Sequence, residues 1–266
     1  MTRLRILICQ TDIIWEKPFE NRKRIRSAID RYMTTSGKDR TPDLLLLPEF
    51  FATGFTMNTS LAEEECGPTQ KWMEALSLEY GMATGGSVPT SVGRGTVNRF
   101  YFIYPDGRSE HYDKKHLFRM SGEDTSYMPG DTRKTIEYRE WNIGLNICYD
   151  LRFPVWSRNG GDNAYDIMLN VASWPVSRYE AASILVKARA IENQSYYVFA
   201  NRTGASPDTE YGGGSFISDY KGNSISAIEG EIEGCTFISA EADLESLRAF
   251  RKKFPAWKDA DQYKIL

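Results

Sequence analysis

The sequence predicts an α/β protein with mixed β-sheets. Short apolar runs of strand length alternate with longer stretches whose apolar residues recur at helical spacing. Two pairs of runs, 98–112 and 215–228, are each separated by a turn sequence and read as hairpins, which requires antiparallel neighbours. The 266 residues show no internal repeat, low-complexity stretch or linker. One domain over 1–266 is therefore the economical reading, with 253–266 as a C-terminal tail.

Taken in order, Arg3–Gln10 alternates Leu4, Ile6 and Ile8 as a first strand. Glu20–Thr34 carries Ile25, Ala28, Ile29 and Tyr32 at helical spacing. Leu44–Leu47 suits a strand covered on both faces, and it ends at Pro48 and Glu49. Thr69–Tyr80 reads as a helix closed by Gly81, and Met82–Val88 as a strand. The glycines Gly85 and Gly86 within that strand suggest close backbone approach or a bulge. Asn98–Tyr104 and Arg108–Tyr112 form the first hairpin and deliver Tyr112–Phe118. A polar loop containing Glu123 leads to Thr135–Tyr138. Trp141–Ile147, Tyr165–Val171 and Tyr196–Ala200 read as further strands, with a helix over Arg178–Gln194. Ser215–Ser218 and Asn223–Ile228 are expected to pair across Asp219–Gly222. Gly234–Ala240 and the helix Leu244–Lys252 close the fold.

Composition limits the function classes. Hydrophobic residues are 41% and charged residues 26%, ordinary for a soluble globular protein. A net charge of −3 offers no electrostatic case for nucleic acid or an anionic membrane. No apolar run is long enough to span a bilayer, and the N-terminus lacks a signal-peptide core, so a cytoplasmic location is expected. Cys9, Cys66, Cys148 and Cys235 are far apart and form no CxxC, which argues against a disulfide framework and a zinc site. Only His111 and His116 are available to a Cys–His or Ser–His dyad.

The segment Trp141–Pro154 organises the chemistry. It reads as strand, sharp turn and helix, with Cys148 at the turn, Asp150 as a cap and Pro154 in the helix's first turn. Nearby N–H groups and a helix dipole are expected to favour thiolate. On spacing alone, the plainer reading is a thiol filling a gap at a strand end. Glu49 and Lys114 also fall at strand or hairpin ends. Each has a plain reading alone: Glu49 as a turn cap, Lys114 as a solvated hairpin charge. Together, a carboxylate to take a proton, an ammonium to hold an oxyanion and a thiol to attack form a hydrolase set. Gly212–Gly214 lacks the GK[ST] of a phosphate loop, and Gly213–Ser215 is not a GxSxG elbow.

This constellation resembles the nitrilase superfamily of carbon–nitrogen hydrolases over nearly the whole chain. Leu44–Glu49 looks like its first-glutamate motif, Tyr112–Phe118 its lysine motif and Ile147–Pro154 its cysteine motif. The resemblance implies Glu49, Lys114 and Cys148 as catalytic residues and places Glu123 in support, with Asp124 as the alternative. It also leaves His116 a structural residue and makes Asn98 a brace for the site's loops. Segments 150–159, 187–194, 201–204 and 253–261 are closest to the omega-amidase branch. A four-layer αββα sandwich that dimerises is then expected, as is release of ammonia from short dicarboxylate monoamides such as 2-oxoglutaramate and 2-oxosuccinamate. The implied chemistry runs through a Cys148 thioester, with Lys114 and the Tyr149 N–H holding the oxyanion and no metal or organic cofactor. A substrate carboxylate needs a cation; Arg202 is placed first, then Arg152 and Arg178. The same motifs would also serve a nitrilase, a carbamoylase or another amidase. From other classes, a catalytically silent interaction protein and a redox-sensing thiol protein stay open.

Overall fold

The computed structural model describes residues 2–37, 41–160 and 164–261; the end of the expected tail, 262–266, lies outside the described residues. Strand β1 (Arg3–Thr11) turns Leu4, Ile6 and Ile8 to one face and Leu7 and Cys9 to the other, all buried. In β2 (Leu44–Leu46), Leu44 and Leu46 face one core while Leu45, and Leu47 just beyond, face another. The period-two side-chain alternation of a strand sends successive leucines to opposite faces, and here both faces are covered.

Strands β3 (Ala83–Val92), β4 (Gly95–Ile103) and β5 (Ser109–Asp113) extend this sheet as an antiparallel meander. A second sheet begins with β6 (Thr135–Tyr138), β7 (Trp141–Ile147), β8 (Ile167–Val171) and β9 (Tyr196–Ala200). A separate hairpin follows, β10 (Thr203–Ser206) with β11 (Thr209–Gly212). Then β12 (Phe216–Ser218) joins the second sheet, while β13 (Ala227–Ile232) and β14 (Cys235–Asp243) return to the first. The sheet orders are β13-β14-β1-β2-β3-β4-β5 and β12-β9-β8-β7-β6. Both are mixed, with β1, β2 and β3 parallel in one and β7, β8 and β9 parallel in the other.

Helices supply the outer layers. In α1 (Pro18–Ser36) and α2 (Pro68–Tyr80), Ile25, Ala28, Ile29, Met73 and Leu76 pack on Leu7, Cys9, Leu45 and Leu47. Each helix has proline in its first turn, where no N–H is needed. After the single turn α3 (Glu123–Ser126), helix α4 (Tyr179–Asn193) sets Ala182, Val186 and Ala190 against Met168, Tyr197 and Phe199 of the second sheet. Finally α5 (Leu244–Lys253), capped by Asp243 accepting from the Glu245 and Ser246 N–H groups, inserts Leu244 and Leu247 into the core between the sheets. The layers therefore run α, β, β, α, as the resemblance implied. No helix among the described residues is long and apolar enough to cross a membrane.

Three local readings need correction. The expected 215–228 hairpin reduces to a turn with one bridge, Ser218 to Ser224, because β12 pairs with β9 and β13 pairs with β14. The chain crosses between sheets there. Residues 203–212, to which the sequence reading assigns no strand, fold into the β10–β11 hairpin. No helix starts at Pro154; a 3-10 turn over Cys148–Arg152 begins at the cysteine itself, and Pro154 lies past its end. Gly85 does mark close approach: a Cβ there would lie 2.7 Å from Leu46 Cδ2.

Candidate active site

The parallel strands point their C-terminal ends to one edge, where open α/β sheets collect functional groups. Glu49 follows β2, Cys148 follows β7 and Ser173 follows β8. Lys114 leaves the end of β5, and Glu123 opens α3. Glu49, Lys114 and Glu123 are all fully buried. Lys114 Nζ donates to Glu49 Oε1 at 2.8 Å and to both Glu123 oxygens at 2.9 Å. Asn98 Nδ2 donates to Glu49 Oε1 at 2.8 Å and reaches Glu123 Oε1 at 3.3 Å, so it braces both carboxylates. The Phe118 N–H donates to Glu123 Oε2 at 2.6 Å.

Cys148 lies beside this group, near enough for the Glu49 carboxylate and the Lys114 ammonium both to act on its thiol. Its φ of 44° lies in the left-handed region. A side chain there costs about 1–2 kcal/mol and persists only when its surroundings hold it. Ser173 completes the arrangement: its N–H donates to Glu49 Oε2 at 2.9 Å and its hydroxyl to the Glu49 carbonyl at 3.1 Å. The sequence reading gave Ser173 no role. Its one available signal was its position just past a buried strand at the same sheet edge.

Electrostatics follow from burial. Burial alone would favour a neutral Lys114, but the charges of Glu123 and Glu49 outweigh it and push its pKa above the ordinary lysine range. Burial raises Glu123, with Lys114 pulling down and Glu49 pushing up. Burial and the Glu49 charge push the Cys148 thiol well above the ordinary thiol range, against the pull of Lys114. This direction is opposite to the sequence expectation that the turn favours thiolate. The five-residue 3-10 turn offers no long helix dipole, and the nearest carboxylate disfavours a second negative charge.

Cys148 and Tyr149 open into a cleft of about 70 Å³. Phe55, Phe118, Trp174 and Tyr211 wall it, and Arg152 and Arg178 stand at its sides. The Arg152 guanidinium lies 5.1 Å over the Trp174 ring, and that of Arg178 lies 5.0 Å over Phe118. Arg202 is placed elsewhere. It is fully buried and donates to the carbonyls of Thr203, Ile13 and Ala205 at 3.0, 3.1 and 3.3 Å. Its guanidinium lies 4.4 Å over Tyr211, and burial brings its pKa down to about 10. It therefore backs the Tyr211 wall and does not line the cleft. Thr209 and Tyr211 enter from the β10–β11 hairpin that sequence reasoning missed. Among the described residues, no group of three or more His, Cys, Asp and Glu side chains is placed to hold a metal ion.

Comparison with known proteins identifies the family. Residues 5–252 match the carbon-nitrogen hydrolase family model. The chain is 39% identical to the omega-amidase YafV of Yersinia enterocolitica, covering 100% of both chains. It is 31% identical to the 2-oxoglutaramate amidase of Bacillus subtilis, over 94% of this chain and 95% of that one. Among solved structures, a CN-hydrolase superfamily protein of Xanthomonas campestris with an arsenic adduct in its active site superposes with a TM-score of 0.89. It is 33% identical, with 100% of both chains covered.

Proposed function

This chain belongs to the carbon–nitrogen hydrolase family, and from that premise we propose that it is an omega-amidase. The substrates would be short dicarboxylate monoamides, with 2-oxoglutaramate and 2-oxosuccinamate as the first to test. One observation carries the reading. A thiol, its carboxylate base and a buried ammonium converge beneath a small cleft flanked by two arginines. The amidase relatives support the same chemistry.

In the proposed mechanism, Glu49 takes the Cys148 proton as sulfur attacks the amide carbon. The Tyr149 N–H and Lys114 face the oxyanion that forms. Its collapse breaks the C–N bond, and Glu49 returns its proton to the nitrogen, which leaves as ammonia. Water then adds to the thioester, giving a proton to Glu49. The C–S bond breaks, the acid departs and sulfur recovers the proton. Glu123 and Asn98 hold Lys114 and Glu49 in place throughout. No metal or organic cofactor enters any step. The substrate's carboxylate would rest on Arg152 or Arg178, because these two line the cleft and Arg202 does not.

Ammonia release should be measured for both monoamides, for the matched amide lacking the carboxylate, for a nitrile and for an N-carbamoyl amino acid. Preference for the carboxylated amides supports the reading, and equal turnover of the uncharged amide overturns the substrate class. Charge-assisted hydrogen bonds contribute about 1.5–3 kcal/mol, so loss of the binding arginine should raise KM about 10- to 100-fold. Near-wild-type turnover by Cys148→Ser would refute the thioester. The proposed enzyme is a cytoplasmic homodimer. Ile184 and Ile191, exposed on the outer face of α4, are the apolar contact offered for it. Light scattering on Ile191→Asp should then report a monomer.

A further inference from the structure

Among the described residues, the mechanism leaves one fully buried acidic group, Asp150, without a task. It stands two residues past the nucleophile and is fully buried. Its Oδ2 accepts from the Ile147 N–H at 3.0 Å and from the Tyr112 hydroxyl at 2.7 Å. Its Oδ1 accepts from the His116 N–H at 3.0 Å and lies 2.8 Å from His116 Nδ1. The Tyr112 oxygen in turn accepts from Trp156 Nε1 at 2.9 Å and from the Lys115 N–H at 3.2 Å. With both of those donors pointing at it, the single Tyr112 hydroxyl hydrogen is committed to Asp150.

The connectivity matters more than the count. Tyr112, Lys115 and His116 bracket Lys114, and all three hang directly or through Tyr112 from one carboxylate. That carboxylate also holds Ile147, the residue before Cys148. Lys114 comes from the end of a strand in the first sheet and Cys148 from the end of one in the second. We propose that Asp150 is a positioning residue, a clamp between the two sheets that sets where Lys114 stands relative to Cys148. This rests on the hydrolase reading for its purpose, though the geometry stands without it. A carboxylate suits the place because it only accepts, and four donors converge on its two oxygens. Asparagine would turn an NH₂ group toward two of them.

The test uses the full-length chain with Asp150→Asn, Tyr112→Phe and Trp156→Phe. Trp156 makes no hydrogen bond to Asp150: its Nε1 donates to the Tyr112 oxygen and its ring stands beside His116 and the Lys115 ammonium, so Trp156→Phe keeps a ring there and leaves the contacts on Asp150 in place. Misplacement of reacting groups by about 1 Å costs on the order of 100-fold, so Asp150→Asn should lose about 10- to 100-fold in kcat. Its KM should stay within about threefold, the pattern of an interaction lost mainly in the transition state. Trp156→Phe should lower Tm but keep kcat. The second readout is the pH profile of Cys148 alkylation by iodoacetamide, followed by mass spectrometry at that residue. If Lys114 slackens, the thiolate loses support and the midpoint moves to higher pH in Asp150→Asn but not in Trp156→Phe. Labelling needs no amide turnover, so it judges the clamp even where the amidase reading fails. Should Asp150→Asn fail to fold, Tyr112→Phe decides. Lower kcat with an upward labelling midpoint supports the clamp, and wild-type values for both overturn it. A folded Asp150→Asn with unchanged kcat and midpoint, or an equal kcat loss in Trp156→Phe, also overturns it.

Discussion

Lys114 donates to two buried carboxylates, so removing it strands both in a region closed to water. Breaking a buried pair from one side costs about 3–5 kcal/mol, and Lys114→Ala should lose about that much stability in urea unfolding. The sign with pH follows from the raised pKa. The contribution is fully present below the unfolded lysine value and is lost only as pH rises through the higher folded one. The gap to wild type should therefore be the same at about pH 6 and about pH 9, both below the free lysine pKa of about 10.4. Glu49→Gln separates two roles of one side chain. Removing its charge takes away a force that raises the Cys148 thiol, so the pH midpoint for iodoacetamide labelling should fall. Turnover should nevertheless be abolished, since the proposed base is gone. At this scale, Glu49, Lys114 and Cys148 were legible because their side-chain types and order form a pattern. Ser173 was not, because it holds Glu49 partly through a backbone N–H, which any residue possesses. Arg202 drew attention as a cation after a strand, but sequence does not say whether a guanidinium faces a cleft or a set of carbonyls.

Between residues and the whole lie the strands and turns, and their legibility depended on burial. The Leu44–Leu47 run was readable because covering both faces leaves no polar positions. Gly85 was readable for a related reason: strands with close neighbours have no room for a side chain. Gly85→Ala would bring a Cβ within 2.7 Å of Leu46 Cδ2 and 3.0 Å of the Phe100 ring. Overpacking of this kind costs about 1–3 kcal/mol, so Tm should fall measurably while the purified variant keeps its active-site geometry. Residues 215–228 were misread because alternation shows that a segment is a strand, not which sheet edge receives it. Choosing β9 and β14 over each other is a decision of the tertiary structure. The β10–β11 hairpin is short and mostly solvent-facing, so it lacks the apolar run that reveals a strand.

Across the whole molecule, the four-layer arrangement was implied by family resemblance and not by local pattern, since alternation alone allows one sheet or two. The observed layers place every catalytic candidate where the ends of two sheets face each other, which is why residues 49, 114, 123 and 148 meet. Strand order has a further consequence. β1 lies between β2 and β14, and its entire length pairs with β14. During synthesis, then, β1 keeps one row of amide and carbonyl groups unpaired until residues 235–243 emerge. Open edges of that kind recruit other chains. A chain stopped at residue 226 should collect in inclusion bodies, and supplying residues 227–261 in trans should return part of it to the supernatant on centrifugation. A strand made late thus acts as the seal on one made early.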